Sequence, residues 1–367
     1  NGAAPGPGRS RSSCVTLAAV AVAIERRTVP PPRTPVGDGP SALSEPDPLR
    51  QPIPGSRIRR RPLQEKPFVA METVALARIN EMAETGRRQP AIWVLRAHGH
   101  EQEARRLEAQ LEEALNQAAQ GGALPVTFRG RLVPSRDSNS PQAQAEVAVY
   151  RFDQLIGQDS VPAAVMSRLR RAPGLWRTDI DEVVPVGPVG LVPDEIPVFD
   201  WITGNTDLLR DGVGLLRVEG PRGTETHGIL PTNGRSMGTG SGDGNLVRVT
   251  LVRWLRTRGE WGSANIGEYR NFFSEFLCKH PAEDWVRLFD SEAARFYPNV
   301  KPETVAWLAK KHRDEFVRLA ANPPRNWAAL LRLDDNVLLT EFPGLLSPDR
   351  LDALRARLAR FKAMSHR

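Results

Sequence analysis

The sequence is poor in cysteine, in long apolar runs and in the short motifs that mark nucleotide or nucleic-acid binding. Only Cys14 and Cys278 occur in 367 residues, too few for a four-ligand zinc site or a disulfide framework. Cys278 closes the apolar run Phe272 to Cys278, where a free thiol serves as a small buried hydrophobe. The apolar patch 15–24 is too short to span a bilayer, which takes about 20 apolar residues in a helix, so no transmembrane helix is expected. There is no zinc-finger spacing, no RNP-type strand and no basic run interleaved with aromatics, so nucleic acid is not indicated. The glycine-dense stretch Met237 to Gly244 lacks the Lys-Ser or Lys-Thr pair of a phosphate loop and reads as a mobile loop before a strand at Leu246 to Leu251.

A hydrophobic content of 40% is enough for a sizeable core, and the length allows two domains or one large two-lobed one. The 50 Lys and Arg exceed the 43 Asp and Glu, giving a net charge of +7 with arginine far outnumbering lysine. Such a surface permits contact with acidic partners.

Residues 1–66 hold many of the prolines, glycines, serines and arginines and read as a disordered arm able to lie on an acidic surface. Arg9 and Arg11 before the patch 15–24 resemble the charged start and short apolar core of a secretory signal. Export to the periplasm or medium follows if the patch is a signal, and a cytoplasmic location if it is not.

Residues 67–120 read as a helical hairpin or extension. Val69, Met71, Val74, Ala75, Ile79 and Met82 suit one amphipathic helix ended by Gly86, and Leu107, Leu111 and Leu115 form the seam of a second over Glu101 to Ala119, with Glu101 and Arg105 four apart as a favourable pair. His98 and His100 read as solvated loop residues. Beyond them, Val126 to Phe128 and Arg131 to Val133 look like a strand pair.

An acid is delivered into a loop at Phe199-Asp200-Trp201-Ile202-Thr203-Gly204-Asn205-Thr206-Asp207. Val198, Phe199 and Ile202 recur at helical spacing, Gly204-Asn205 is helix-stop chemistry, and Asp207 falls outside the helix. A strand at Leu215 to Val218, a polar turn from Gly220 to Gly228 and a second strand from Ile229 follow. Helices over Phe272 to Leu277, Trp285 to Phe289, Thr304 to Leu319, Trp327 to Leu333 and Leu351 to Phe361 complete the chain.

Three ordered segments carry a resemblance. Gly204-Asn205-Thr206-Asp207 is the acidic loop, Pro231-Thr232-Asn233-Gly234-Arg235-Ser236-Met237 follows the hairpin, and Ala145-Glu146-Val147-Ala148-Val149-Tyr150-Arg151-Phe152-Asp153-Gln154-Leu155-Ile156-Gly157 with Val161-Pro162 lies upstream. Together they resemble the atypical kinase-like superfamily that includes the phosphatidylinositol 3/4-kinases, the HipA-like proteins and the Golgi casein kinase and Four-jointed branch. The resemblance implies an α+β, two-lobed kinase-like fold, with a small lobe over 121–195 and a mostly helical large lobe over 196–367. It makes Asp207 the candidate base, and Glu146, Asn205, Thr232 and Asn233 the positions matching the nucleotide and metal site.

The departures shape the expected function. Val133 stands where the family has a strand lysine, the metal-binding asparagine falls near Gly212 or Val213, and Thr232 replaces the metal-binding aspartate. Mg²⁺ needs hard oxygen ligands, so these changes remove most of the charge that would neutralise a triphosphate. Without the lysine, Glu146 is expected to meet Arg129 or Arg131, or to be a plain surface carboxylate. The sequence therefore reads as a degenerate, pseudokinase-like binding or scaffolding protein with a protein partner and no cofactor. One alternative is a divergent active protein or lipid kinase using Mg-ATP, with Asp207 as base and Asp200, Asp211 or Asp243 as substitute metal ligand. Another is a structural subunit of a large assembly.

Overall fold

In the computed structural model, which describes residues 73–366 apart from 122, 126–127, 135–139, 169–172, 181–182, 186–191, 210–212, 221–222 and 263–264, the leucine seam forms the spine of a helical array. α1 (Thr73–Glu84) stops before Gly86, whose φ of 90° suits glycine. α2 (Arg88–Ala97) contains the apolar run Ala91 to Leu95, all buried, and α3 (Glu101–Gly121) buries Leu107, Leu111 and Leu115. The expected Glu101–Arg105 bond forms at 2.8 Å. His98 corrects the solvated reading: it is buried, because it ends α2 where the chain turns tightly into α3, with His100 N–H donating to the Leu95 carbonyl. The arm, its patch 15–24, Cys14, Val69, Met71, Asp211 and Gly212 lie outside the described residues.

The protein is α+β and mostly helical, with two small antiparallel sheets among the described residues. In the first sheet β1 (Gly130–Pro134) pairs with β3 (Gly174–Thr178), which also pairs with β2 (Ala164–Met166); Leu132 faces Trp176 across the register. The strand pair is thus nonlocal. Phe128 is not in a strand, and Val126 and Thr127 lie outside the described residues. Between β1 and β2 runs α4 (Pro141–Ile156), closed by Gly157 in the left-handed conformation at φ 61°.

The second sheet joins β4 (Val183–Pro185), β5 (Gly214–Gly220) and β6 (Gly223–Ile229). Gly220 pairs with Gly223, so the polar stretch expected as a turn is itself largely the return strand, which ends at Ile229 rather than beginning there. Between β4 and β5 lies α5 (Glu195–Thr203).

The remaining chain is helical: α6 (Gly244–Thr257), α7 (Ile266–Asn271) with a π-helical turn Phe272–Leu277, α8 (Trp285–Leu288), α9 (Pro302–Ala321), α10 (Trp327–Arg332), α11 (Asp335–Glu341) and α12 (Pro348–Ser365). The strand expected at Leu246 to Leu251 is part of α6. Its valines suggested a strand, yet Val247, Leu251, Val252 and Leu255 bury one helical face. Two hydrophobic clusters result. One gathers α1 to α5, the sheets and α10 to α12; the other joins α6 through the first half of α9. Among the described residues no helix is long and apolar enough to cross a membrane.

Candidate functional site

α5 is buried from Ile196 through Thr203 and ends at Gly204, in the left-handed conformation at φ 63°. A Cβ there would lie 2.7 Å from Arg357 Cζ, so glycine is required both by the backbone and by the guanidinium packed on it. Arg357, on α12, is buried. Its Nε donates to the Ile202 carbonyl and its Nη1 to the Gly238 and Gly240 carbonyls, each at 2.7 Å. Burial pushes this guanidinium down to about 10. One arginine thereby ties the end of α5 to the glycine-dense loop.

That loop corrects the expectation of a mobile segment. Ser241 Oγ donates to the His280 carbonyl at 2.7 Å, Gly242 N–H donates to the Cys278 carbonyl at 2.9 Å, and Asp243 is fully buried. Its glycines permit close backbone approach, since a Cβ on Gly240 would lie 2.3 Å from the Cys278 carbonyl oxygen.

Beyond Gly204 the acidic loop folds on itself. Asn205 is buried, and its Oδ1 accepts the Asp207 N–H at 3.1 Å. Asp207 is half-buried, and its Oδ1 accepts the Leu209 N–H at 3.2 Å. These are two successive Asx turns, local bonds that short carboxylate and amide side chains form with the backbone. The Arg235 guanidinium lies 3.8 Å from the same Asp207 oxygen.

The second motif packs beside the first. Thr206 N–H donates to the Arg235 carbonyl at 3.1 Å, and Met237 N–H donates to the Thr203 carbonyl. Asn233 is buried, with Nδ2 donating to the Leu230 carbonyl at 2.8 Å, whereas Thr232 is exposed. The third motif joins through Glu146 of α4, whose Oε1 accepts the Asn233 N–H at 2.8 Å and whose Oε2 lies 3.8 Å from Arg177 Nη1. Arg177, on β3, also donates to the Pro231 carbonyl.

All five candidate positions are therefore brought into one connected neighbourhood. Glu146 faces Arg177, which the sequence reading did not name, rather than Arg131. Arg131 instead lies 3.3 Å from Asp179, because β3, not β1, presents its cation to α4. Nor is Glu146 a plain surface carboxylate: its side chain is 12% exposed. Sequence reading missed Arg177 and Arg357, which reach the site from elements distant in the chain; Arg357 is one of several basic residues of α12 and nothing local sets it apart.

The acids weighed as substitute metal ligands serve elsewhere. Asp200 is fully buried and its Oδ2 accepts from Arg248 Nη1 at 2.6 Å, an ion pair between α5 and α6. Asp243 accepts from Trp201 Nε1 at 2.8 Å and Ala282 N–H at 2.7 Å and is paired with Arg360. Asp211 lies outside the described residues. A hydroxyl at Thr232 and an exposed arginine beside Asp207 make a poor donor set for a divalent cation, which prefers carboxylates.

Compared with protein-family models, curated proteins and solved structures, the chain matches none.

Proposed function

We propose that the chain is a pseudokinase-like protein, built on a two-lobed kinase-like fold, that acts by binding or scaffolding rather than by phosphoryl transfer. One observation carries this reading: the acid that the resemblance makes the candidate base, Asp207, and the acid that it places in the nucleotide site, Glu146, are both engaged within the protein. Asp207 holds its own loop through the Leu209 N–H and faces Arg235, and Glu146 holds the Asn233 backbone while facing Arg177. Threonine at position 232 supplies no carboxylate to hold the Mg²⁺ that would balance a triphosphate, and the burial of Asp200 and Asp243 in ion pairs argues against either substituting.

A divergent active kinase using Mg-ATP is the second reading. The Arg177–Glu146 pair favours it, since a cation beside the helix glutamate is what phosphate positioning requires.

Asp207→Ala separates the two. On the binding-protein reading it lowers stability by about 1 kcal/mol, because the Leu209 N–H loses its acceptor, while neither protein transfers phosphate from labelled Mg-ATP to itself or to water. Turnover by the wild type, abolished in the variant at unchanged melting temperature, would overturn it.

A further inference from the structure

The rim of the second hydrophobic cluster carries three half-buried tryptophans, Trp254, Trp261 and Trp307. Trp254 of α6 and Trp307 of α9 have ring centroids 6.4 Å apart, and the edge of Tyr269 closes on Trp254 at 5.9 Å. The rings are thus fixed by packing yet keep part of their surface in water. Arginines lie on two of them: Arg256 Cζ is 4.7 Å from the Trp261 ring centre and Arg258 Cζ is 4.9 Å from that of Trp254. Arg253 stands one helical turn before Arg256, and both are exposed. Most of this surface is local in sequence, since Arg253, Trp254, Arg256, Arg258 and Trp261 fall within nine residues, an interleaving that sequence reading missed; Trp307 joins it from α9.

A guanidinium resting on an indole is held through its face, which leaves its N–H edges directed outward toward carboxylates; Arg258 already gives its Nε–H to Glu260 and offers its remaining N–H groups. Part of its rotamer freedom is given up before any partner arrives, which lowers the cost of ordering on binding. Tryptophan and arginine are also the residue types that dominate binding energy in protein interfaces.

We propose that this surface docks an acidic segment of a partner protein, with carboxylates meeting Arg253, Arg256 and Arg258 and apolar side chains covering the open edges of Trp254, Trp261 and Trp307. Charge complementarity sets the sign of the partner. Nucleic acid fits less well for two reasons. Glu260 sits within the cluster, bonded to Arg258 at 2.9 Å, whereas nucleic-acid interfaces are far more uniformly positive; and the arginines already occupy indole faces that bases would need for stacking. The proposal deepens the binding-protein reading and rests on it for the idea that the chain works through partners. The two fail separately, since the neighbourhood of Glu146 and Asp207 is judged by nucleotide and this surface by peptide.

The test is fluorescence anisotropy of a labelled Glu-Glu-Leu repeat peptide titrated with the full chain. Saturable binding that weakens with added salt is expected. R253E/R256E should lower affinity about tenfold or more, as loss of interface arginines does, and R253A/R256A gives the same direction if charge reversal impairs folding. The same reversal at exposed Arg105 and Arg106 of α3 should change affinity less than about twofold by charge alone. No binding by the wild type overturns the proposal, as does equal loss in the α3 pair, which would mean net charge only. Tighter binding of an oligothymidylate of matched charge would overturn it in favour of nucleic acid.

Discussion

Arg177 Nη1 on β3 lies 3.8 Å from Glu146 Oε2 on α4, while the other Glu146 oxygen accepts the Asn233 N–H at 2.8 Å. A single, largely buried carboxylate therefore joins the first sheet, the helix beside it and the loop that follows the second sheet. Its two oxygens do different work, one facing a cation and one accepting from the backbone, and substitutions can separate them.

Glu146→Ala should lower stability by about 1–3 kcal/mol, because a backbone donor and a guanidinium both lose their acceptor. Glu146→Gln keeps a carbonyl oxygen for Asn233 and should cost less than half as much. Urea denaturation of the three proteins measures both. Equal loss in the two variants would mean that the Asn233 bond contributes nothing.

Local signals made part of this neighbourhood legible from sequence. Gly204-Asn205 after a buried apolar run is a stop signal written within a few residues, and the structure places Asp207 outside α5 as that signal requires. Contacts between distant segments left no such trace. Arg177 reaches Glu146 only because β3 lies between β1 and β2, and Arg357 meets Gly204 from the last helix. The misreading of Leu246 to Leu251 has a different cause. β-Branched residues there fit either period, and tertiary packing decides for helix by seating Asn245 and Arg248 against Asp200.

Gly204→Ala tests the clamp on the acidic loop. The substitution adds left-handed strain and drives a Cβ to within 2.7 Å of Arg357 Cζ. Gly259 is a matched control, with φ 69° and nothing within 4 Å of its Cβ position, so Gly259→Ala carries the backbone strain alone, about 1 kcal/mol. Gly204→Ala should cost at least about 1 kcal/mol more, from overpacking against a buried guanidinium. Equal melting temperatures for the two variants would show that Arg357 moves aside freely.

His312 gives a pH dependence with a defined sign. It is buried on α9, Nε2 makes no hydrogen bond, and the nearest carboxylate oxygen, Asp243 Oδ2, is 3.7 Å away. Arg360, Glu283 and Arg313 also act on it. Burial pushes the imidazole below its ordinary value, outweighing the upward pull of Asp243. The unfolded chain takes up the proton near pH 6.5, and the folded chain only at lower pH. The contribution of neutral His312 is therefore complete above about pH 6.5 and is lost as pH falls below it. The stability difference between wild type and His312→Gln should shrink from pH 7 to pH 5. A difference that grows on acidification would mean that Asp243 wins and the folded state favours the imidazolium.

The central claim of the proposed reading is that the neighbourhood of Glu146, Thr232, Asn233 and Asp207 does not hold a triphosphate, and calorimetric titration of the full chain with ATP in the presence and absence of Mg²⁺ tests it most directly. With threonine at position 232 and with Glu146 and Asp207 engaged by the protein itself, the account predicts no saturable heat and no change on adding the metal. Tight, saturable binding of ATP that depends on Mg²⁺ would contradict it.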